Sequence, residues 1–228
     1  MDGRANRPWI AFSSRVVNAE SYDEPRDALS QDWTHWATQH GALPLALPNN
    51  PSVALQMLDA VGPALLVLTG GNDAVQRADG GGDFDENRNR TELALIARAL
   101  DGGVPILGVC RGMHMLNLFH GGTVREDLGD LSDGHVAKTH RITLADPLRE
   151  LSKADVAETN SFHRQGFSDE QVGAGLRVCA RCDADGIVEA VAREDASVIG
   201  MGWHPERANP ARQLDDAILS RLAPALNW

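Results

Sequence analysis

Cysteine is scarce in this chain: three among 228 residues, at positions 110, 179 and 182. An odd count with no export signal argues against a disulfide framework. Cys179 and Cys182 in "CARC" form half of a zinc pattern. No second Cys or His pair lies at suitable spacing, so both are expected to be ordinary strand residues. Long apolar runs are missing as well. None reaches membrane-spanning length, and "MDGRANRPWIAFSSRVV" has no apolar stretch ahead of its polar residues, so no signal peptide is expected. Basic runs are also absent. Twenty-one Lys and Arg face 32 Asp and Glu, a formal net charge of -11, the wrong sign for tracking a phosphate backbone. Neither nucleic acid nor membrane is an expected partner, and the expected setting is the cytoplasm. There is no repeat, linker or low-complexity segment. A composition of 43% hydrophobic and 23% charged residues suits one globular domain over residues 1–228.

What is present is alternation. "WIAF" (Trp9 to Phe12) reads as a first strand. "EPRDALSQDWTHWATQHG" follows as a helix, with Ala28, Leu29, Trp33, Trp36 and Ala37 on one stripe and Gly41 as its stop. "LPLALP" is a strand, "PSVALQMLDAV" a helix, "ALLVLTGG" a strand, "TELALIARALDGG" a helix and "VPILGV" a strand. A helix from about Arg111 to His120 comes next. Strands apolar throughout imply a parallel sheet covered on both faces. In the second half, "HRITLA", "LRVCARC", "IVEAVARE" and "VIGMGW" are strands with few helices between them, and "PARQLDDAILSRLAPAL" closes as an amphipathic helix. The expected fold is α/β: a mostly parallel sheet with helices on both faces and a mixed-strand extension.

Within "PILGVCRGMHMLNLFHGG", Cys110 stands between Gly108 and Gly112 where the strand meets the helix. G-x-C-x-G is the thiol counterpart of the strand-to-helix elbow of serine hydrolases. Ligands of open α/β sheets collect at such strand ends, and a helix N-terminus favours thiolate over thiol. A buried structural cysteine beside helix-packing glycines is the plainer reading. A nucleophile needs a base and a group that orients it. His204, in "GMGWHPER", has Glu206 two residues on, on the same side of an extended chain. His163, in "NSFHRQG", is the rival base and has no acid at that spacing. His35, His40, His120, His135 and His140 fall on helix surfaces or in loops, where a solvated role is expected. Oxyanion donors would be the N–H of Arg111 and an N–H of Gly70 or Gly71 in "LTGGND", although a Gly-Gly pair also suits a plain turn.

"LTGGND", "GVCRGMHMLN", "TNSFHRQG" and "GWHPE", in that order, resemble the class I glutamine amidotransferase superfamily, and within it the γ-glutamyl hydrolase branch that includes γ-glutamyl-γ-aminobutyrate hydrolase. The resemblance implies a flavodoxin-like core, a Cys110–His204–Glu206 triad, a γ-glutamyl amide substrate attacked at its side-chain carbonyl, and no metal or organic cofactor. It implies that Asn160, Ser161, Phe162 and His163 hold the glutamyl moiety, largely through main-chain atoms. His114 stands where the family usually has Gln in contact with that moiety, which predicts an altered pH dependence. The N-terminal third, "SRVVNAESYDEPRDALSQDW", resembles a subgroup that hydrolyses γ-glutamyl-CDP-amidate in capsular phosphoramidate synthesis. Arg15 and Arg26 would then meet a diphosphate through their planar donor forks, or else serve as surface ion-pair residues. The segment Asp79 to Glu92 reads either as a lid carrying Arg88 or Arg90 to the substrate or as a solvated loop. The expected partner is a small γ-glutamyl substrate. A homo-oligomer, a synthase fed with ammonia and a catalytically silent binding module all stay open.

Overall fold

A computed structural model describes residues 7–226. The chain runs β1 (Trp9–Ser13), β2 (Arg15–Asn18), β3 (Pro25–Ala28), α1 (Gln31–Gln39), β4 (Leu43–Leu47), α2 (Pro51–Val61), β5 (Leu65–Leu68), α3 (Glu86–Gly102), β6 (Ile106–Val109) and α4 (Arg111–Phe119). It continues through β7 (Val136–Leu144), α5 (Leu148–Ser152), β8 (Val156–Phe162), β9 (Leu176–Cys182), β10 (Val188–Arg193), β11 (Val198–Met201) and α6 (Arg212–Leu222).

Nine strands form one sheet in the order β4-β1-β5-β6-β11-β10-β9-β7-β8. The first five are parallel and the pairings from β11 to β8 are antiparallel. This is the expected α/β architecture with its mixed extension. Side chains alternate across the sheet. Ile10 and Phe12 join one core with Trp33 and Trp36 of α1 and Ile218 of α6, while Ala11 joins the other with Leu95 and Ile96 of α3 and Met115 of α4. Both faces are therefore covered, which is why the parallel strands carry no polar alternation. Among the described residues no helix is long and apolar enough to cross a membrane.

Two elements differ from the sequence reading. Pro25–Ala28, expected as the start of a helix, is instead a strand paired antiparallel with Arg15–Asn18. The helix begins only at Gln31, where the Ser30 hydroxyl accepts from Asp32 N, as a helix N-cap does. Val156–Phe162, which carries "TNSF", is a strand that pairs with β7 over most of its length.

Candidate active site

Three neighbouring parallel strands end side by side. Gly70 follows β5, Cys110 follows β6 and His204 follows β11. Cys110 turns the corner with φ 53° and ψ -108°, a conformation that strains any residue with a Cβ. Its N–H donates to Met201 O at 2.7 Å, pinning the corner to the end of β11. The flanking glycines have separate reasons. A Cβ on Gly112 would stand 2.1 Å from the Leu68 carbonyl oxygen, and one on Gly108 would stand 2.6 Å from Leu116 and 2.7 Å from the Gly112 backbone. Glycine here lets α4 press against β5 and β6 as it leaves the cysteine.

His204 is buried, and its Nδ1 lies 2.7 Å from Glu206 Oε1. This contact is made differently from the expected extended pair: β11 ends at Met201, and the turn through Pro205 brings the carboxylate back to the ring. The other side of the ring faces the sulfur. A Cβ on Gly70 would lie 2.8 Å from His204 Cε1 and 3.5 Å from Cys110 Cβ, so the three groups share one crowded point. Burial alone would raise the Cys110 pKa, but the His204 imidazole outweighs it and the thiol is shifted down. Burial would lower His204, yet the Cys110 sulfur and the Glu206 carboxylate hold it up at about 9. The arrangement favours a thiolate–imidazolium pair. Cys179 and Cys182 are pushed the other way by burial, up to about 12 and about 11.

Two cavities flank the sulfur. One, of about 310 Å³, is lined by Arg15, Leu29, Trp33, Phe162, Glu206 and Arg207 together with Gly70 and Gly71. The other, of about 220 Å³, is lined by Asp73, Asp83, His114, His163, Arg164 and Gln165 together with Arg15 and Arg111. A larger hollow of about 500 Å³ lies beside Glu206, and Cys110 does not line it. Arg207 stacks over the Phe162 ring at 4.4 Å, a cation–π contact that narrows the mouth of the first cavity.

Several expected roles change on inspection. The Arg26 guanidinium donates to Glu24 at 2.6 Å and Tyr22 at 2.7 Å and lines neither cavity. Arg88 does not swing on a lid. It is completely buried, and Arg90 sits on the exposed side of α3 near Glu86. His135 and His40 are buried rather than solvated. His114 is buried beside the second cavity, and burial drives its pKa down to about 3, so it stays neutral and adds no titration near neutral pH. Asn160 and Ser161 turn their side chains inward, to the His204 and His135 carbonyl oxygens, and line neither cavity. Phe162 and His163 do line the cavities.

Residues 9–206 match the family described as Peptidase C26. The chain belongs to that family. A protein of Mycobacterium tuberculosis assigned as a glutamine amidotransferase is 32% identical over 224 residues, spanning 90% of this chain and 71% of that one. A γ-glutamyl-γ-aminobutyrate hydrolase of Shigella flexneri is 31% identical over 192 residues, 73% of each chain. A γ-glutamyl-CDP-amidate hydrolase of Campylobacter jejuni is 26% identical over 207 residues, 88% of this chain and 91% of that one. The crystal structure of a glutamine amidotransferase from Thermotoga maritima shares the fold, with a TM-score of 0.60 at 16% identity over 96% of this chain and 82% of that one.

This Peptidase C26 chain supports its site through residues that sequence reasoning missed or misassigned. Asn160 grips the His204 peptide from both sides: its Oδ1 accepts from His204 N at 2.8 Å and its Nδ2 donates to His204 O at 2.9 Å and to Ala208 O at 3.0 Å. Arg88 clamps the loop after β5, donating to the carbonyl oxygens of Thr69 at 2.7 Å, Gly70 at 3.0 Å, and Gly71. A trans peptide points its N–H opposite to its C=O, so the N–H groups of Gly70 and Gly71 face away from Arg88. Glu92, buried, holds Arg88 at 3.0 Å and also pairs with the Arg111 side chain. The backbone N–H of Arg111 is thereby left beside the Cys110 sulfur, where it favours the thiolate. Within "ENRNRTE" only the i,i+4 spacing of Arg88 and Glu92 is local; the links to the loop after β5 and to Arg111 are not.

Proposed function

We propose that this chain is a γ-glutamyl amide hydrolase that works through a glutamyl thioester on Cys110. The observation that carries the reading is the meeting of a strained, low-pKa cysteine with a His204–Glu206 pair at 2.7 Å. The thiolate attacks the γ-carbonyl carbon. The N–H groups of Arg111 and of Gly70 or Gly71 hold the developing oxyanion. As the C–N bond breaks, His204 protonates the leaving nitrogen. Water deprotonated by His204 then attacks the thioester, releasing glutamate and the free thiolate. No metal or cofactor is required by these steps.

The second cavity suits the glutamyl end. Arg164 offers a partner for an α-carboxylate, Asp73 and Asp83 for an α-ammonium group, and His114 a neutral hydrogen-bonding ring. The first cavity suits the leaving group. Arg15 and Arg207 lie at its wall with Trp33 and Leu29, a pairing of forked cations and apolar surface that fits a diphosphate better than ammonia. Together with the Campylobacter jejuni relative, this favours γ-glutamyl-CDP-amidate. A leaving group bearing one carboxylate, such as γ-aminobutyrate, is the second reading, since either arginine alone could hold it.

The test is a panel of γ-glutamyl amides with mass spectrometry. Wild-type chain should cleave them without a partner protein and carry a transient glutamyl adduct on Cys110. Cys110→Ala should abolish both while remaining folded; wild-type turnover in that variant would refute the assignment. Arg15→Ala should raise KM for a diphosphate-bearing amide about tenfold, as the loss of one charge-assisted contact implies, and leave glutamine turnover nearly unchanged.

A further inference from the structure

On the antiparallel half of the sheet, three imidazoles converge on one carboxylate oxygen. His135 Nδ1 and His163 Nε2 each lie 3.2 Å from Glu189 Oε1, and His140 Nε2 lies 3.5 Å from it. They come from the start of β7, from β7 itself, from the end of β8 and from β10. His135 and Glu189 are fully buried and His163 is 3% exposed.

The far sides of two rings decide their protonation. His135 Nε2 lies 2.8 Å from an Asp185 carboxylate oxygen, and His163 Nδ1 lies 3.0 Å from the Gln165 carbonyl oxygen. Both partners are acceptors only, so those nitrogens carry the protons. His163 Nε2 is aligned on the Glu189 oxygen, so either that ring is doubly protonated or a cation takes the place of its second proton; His135 Nδ1 lies as close without that alignment.

Geometry separates the two. One carboxylate oxygen cannot accept well from three rings. His135 Nδ1 and His140 Nε2 indeed have no hydrogen-bond partner of proper alignment despite their closeness, and Glu189 Oε2 has none either. Ligand bonds of about 2.0–2.1 Å in a tetrahedral zinc site put ligand atoms about 3.3 Å apart, close to the 3.2 Å from Glu189 Oε1 to each of His135 Nδ1 and His163 Nε2. His135, His163 and Glu189 offer atoms that all lie within 4.8 Å of one another. A carboxylate and a backbone carbonyl on the outer nitrogens are also the supports that metal-bound histidines take.

We propose that His135 Nδ1, His163 Nε2 and Glu189 Oε1 bind one divalent transition-metal ion of zinc type. The donor set, imidazole with one carboxylate, suits such an ion better than magnesium or calcium. His135 and Glu189 are fully buried and the Cys110 sulfur is not among the ligands, so the role of the site is structural. It ties β7, β8 and β10 together and holds the His163 wall of the second cavity. It takes no part in bond breaking and does not depend on the hydrolase reading.

The purified full chain, loaded with Zn²⁺ and passed into metal-free buffer, should retain one ion per chain by mass spectrometric metal analysis. Co²⁺ in its place should give the visible ligand-field bands of a tetrahedral site. Cys110→Ala should keep both signals; Glu189→Gln and His135→Gln should lose them while circular dichroism shows a folded chain. Should those variants fail to fold, the wild-type chain still decides. A folded wild type that retains no more Zn²⁺ or Co²⁺ than a chelator-treated control, with the His135 and His163 rings doubly protonated by NMR at neutral pH, would overturn the proposal. So would metal retention that vanishes in Cys110→Ala, which would put the ion on the thiol.

Discussion

The Cys110 sulfur and the His204 ring each resist what burial alone would impose, and each does so because of the other. The proposed thioester route needs the thiolate and the imidazolium at once. kcat/KM should therefore rise with pH as the thiol ionises and fall as His204 loses its proton near pH 9. Glu206→Gln keeps an acceptor for Nδ1 but removes the charge that helps hold the ring's pKa up. Its alkaline limb should move to lower pH and kcat should drop about tenfold or more. A pH–rate profile whose alkaline limb stays in place would assign that limb to another group. His114 should contribute no limb, since burial keeps it neutral down to about pH 3.

At the scale of elements, α3 supports the loop after β5 from beneath. Arg88→Met preserves length but strips three carbonyls of their donor and leaves Glu92 with one partner fewer. Breaking a buried pair in this way costs about 3–5 kcal/mol, measurable by urea unfolding. Because the Gly70 and Gly71 N–H groups lose their aim, kcat should fall at least tenfold with little change in KM, in line with the worth of a single oxyanion donor. Equal losses in both parameters would point to substrate binding instead. The contrast with Cys110 explains what the sequence could reveal. The G-x-C-x-G corner is compact: Gly108 answers a clash within its own strand–turn–helix and Gly112 one with the neighbouring β5, and the pattern is still visible in five letters. His204 and Glu206 are likewise close along the chain, although the turn that joins them was not foreseen. The Arg88–Glu92–Arg111 network, the Asn160 grip on His204 and the ring of histidines around Glu189 join elements 19 to 54 positions apart, and no periodicity marks such partners. The Pro25–Ala28 strand failed for the same reason: its spacing fits a helix stripe, and only its pairing with Arg15–Asn18 makes it a strand.

For the whole molecule, two buried carboxylates set opposite slopes of stability with pH. Burial raises Asp215 to about 6, against the donors Trp203 and Asn209. The folded chain thus takes up this proton before the unfolded one does, and stability should rise as pH falls from 7 toward 5, by about 1 kcal/mol from this group. Glu92 is the reverse. Arg111 and Arg88 overcome its burial and hold its pKa below the ordinary 4.5. Its contribution is present above that value and is lost as pH drops through the lower folded value. Asp215→Asn should therefore lose melting temperature relative to the wild type as pH falls from 7 to 5. A difference between variant and wild type that stays constant over that range would contradict this account.

The crowding at Gly70 has a practical use. One methyl placed there would stand 2.8 Å from His204 Cε1, enough to turn the ring aside while every reactive atom remains chemically whole. Gly70→Ala should then behave as a silent receptor that seats its natural compound and cannot cut it, so that the uncut molecule can be fished from a cell extract and seen in density.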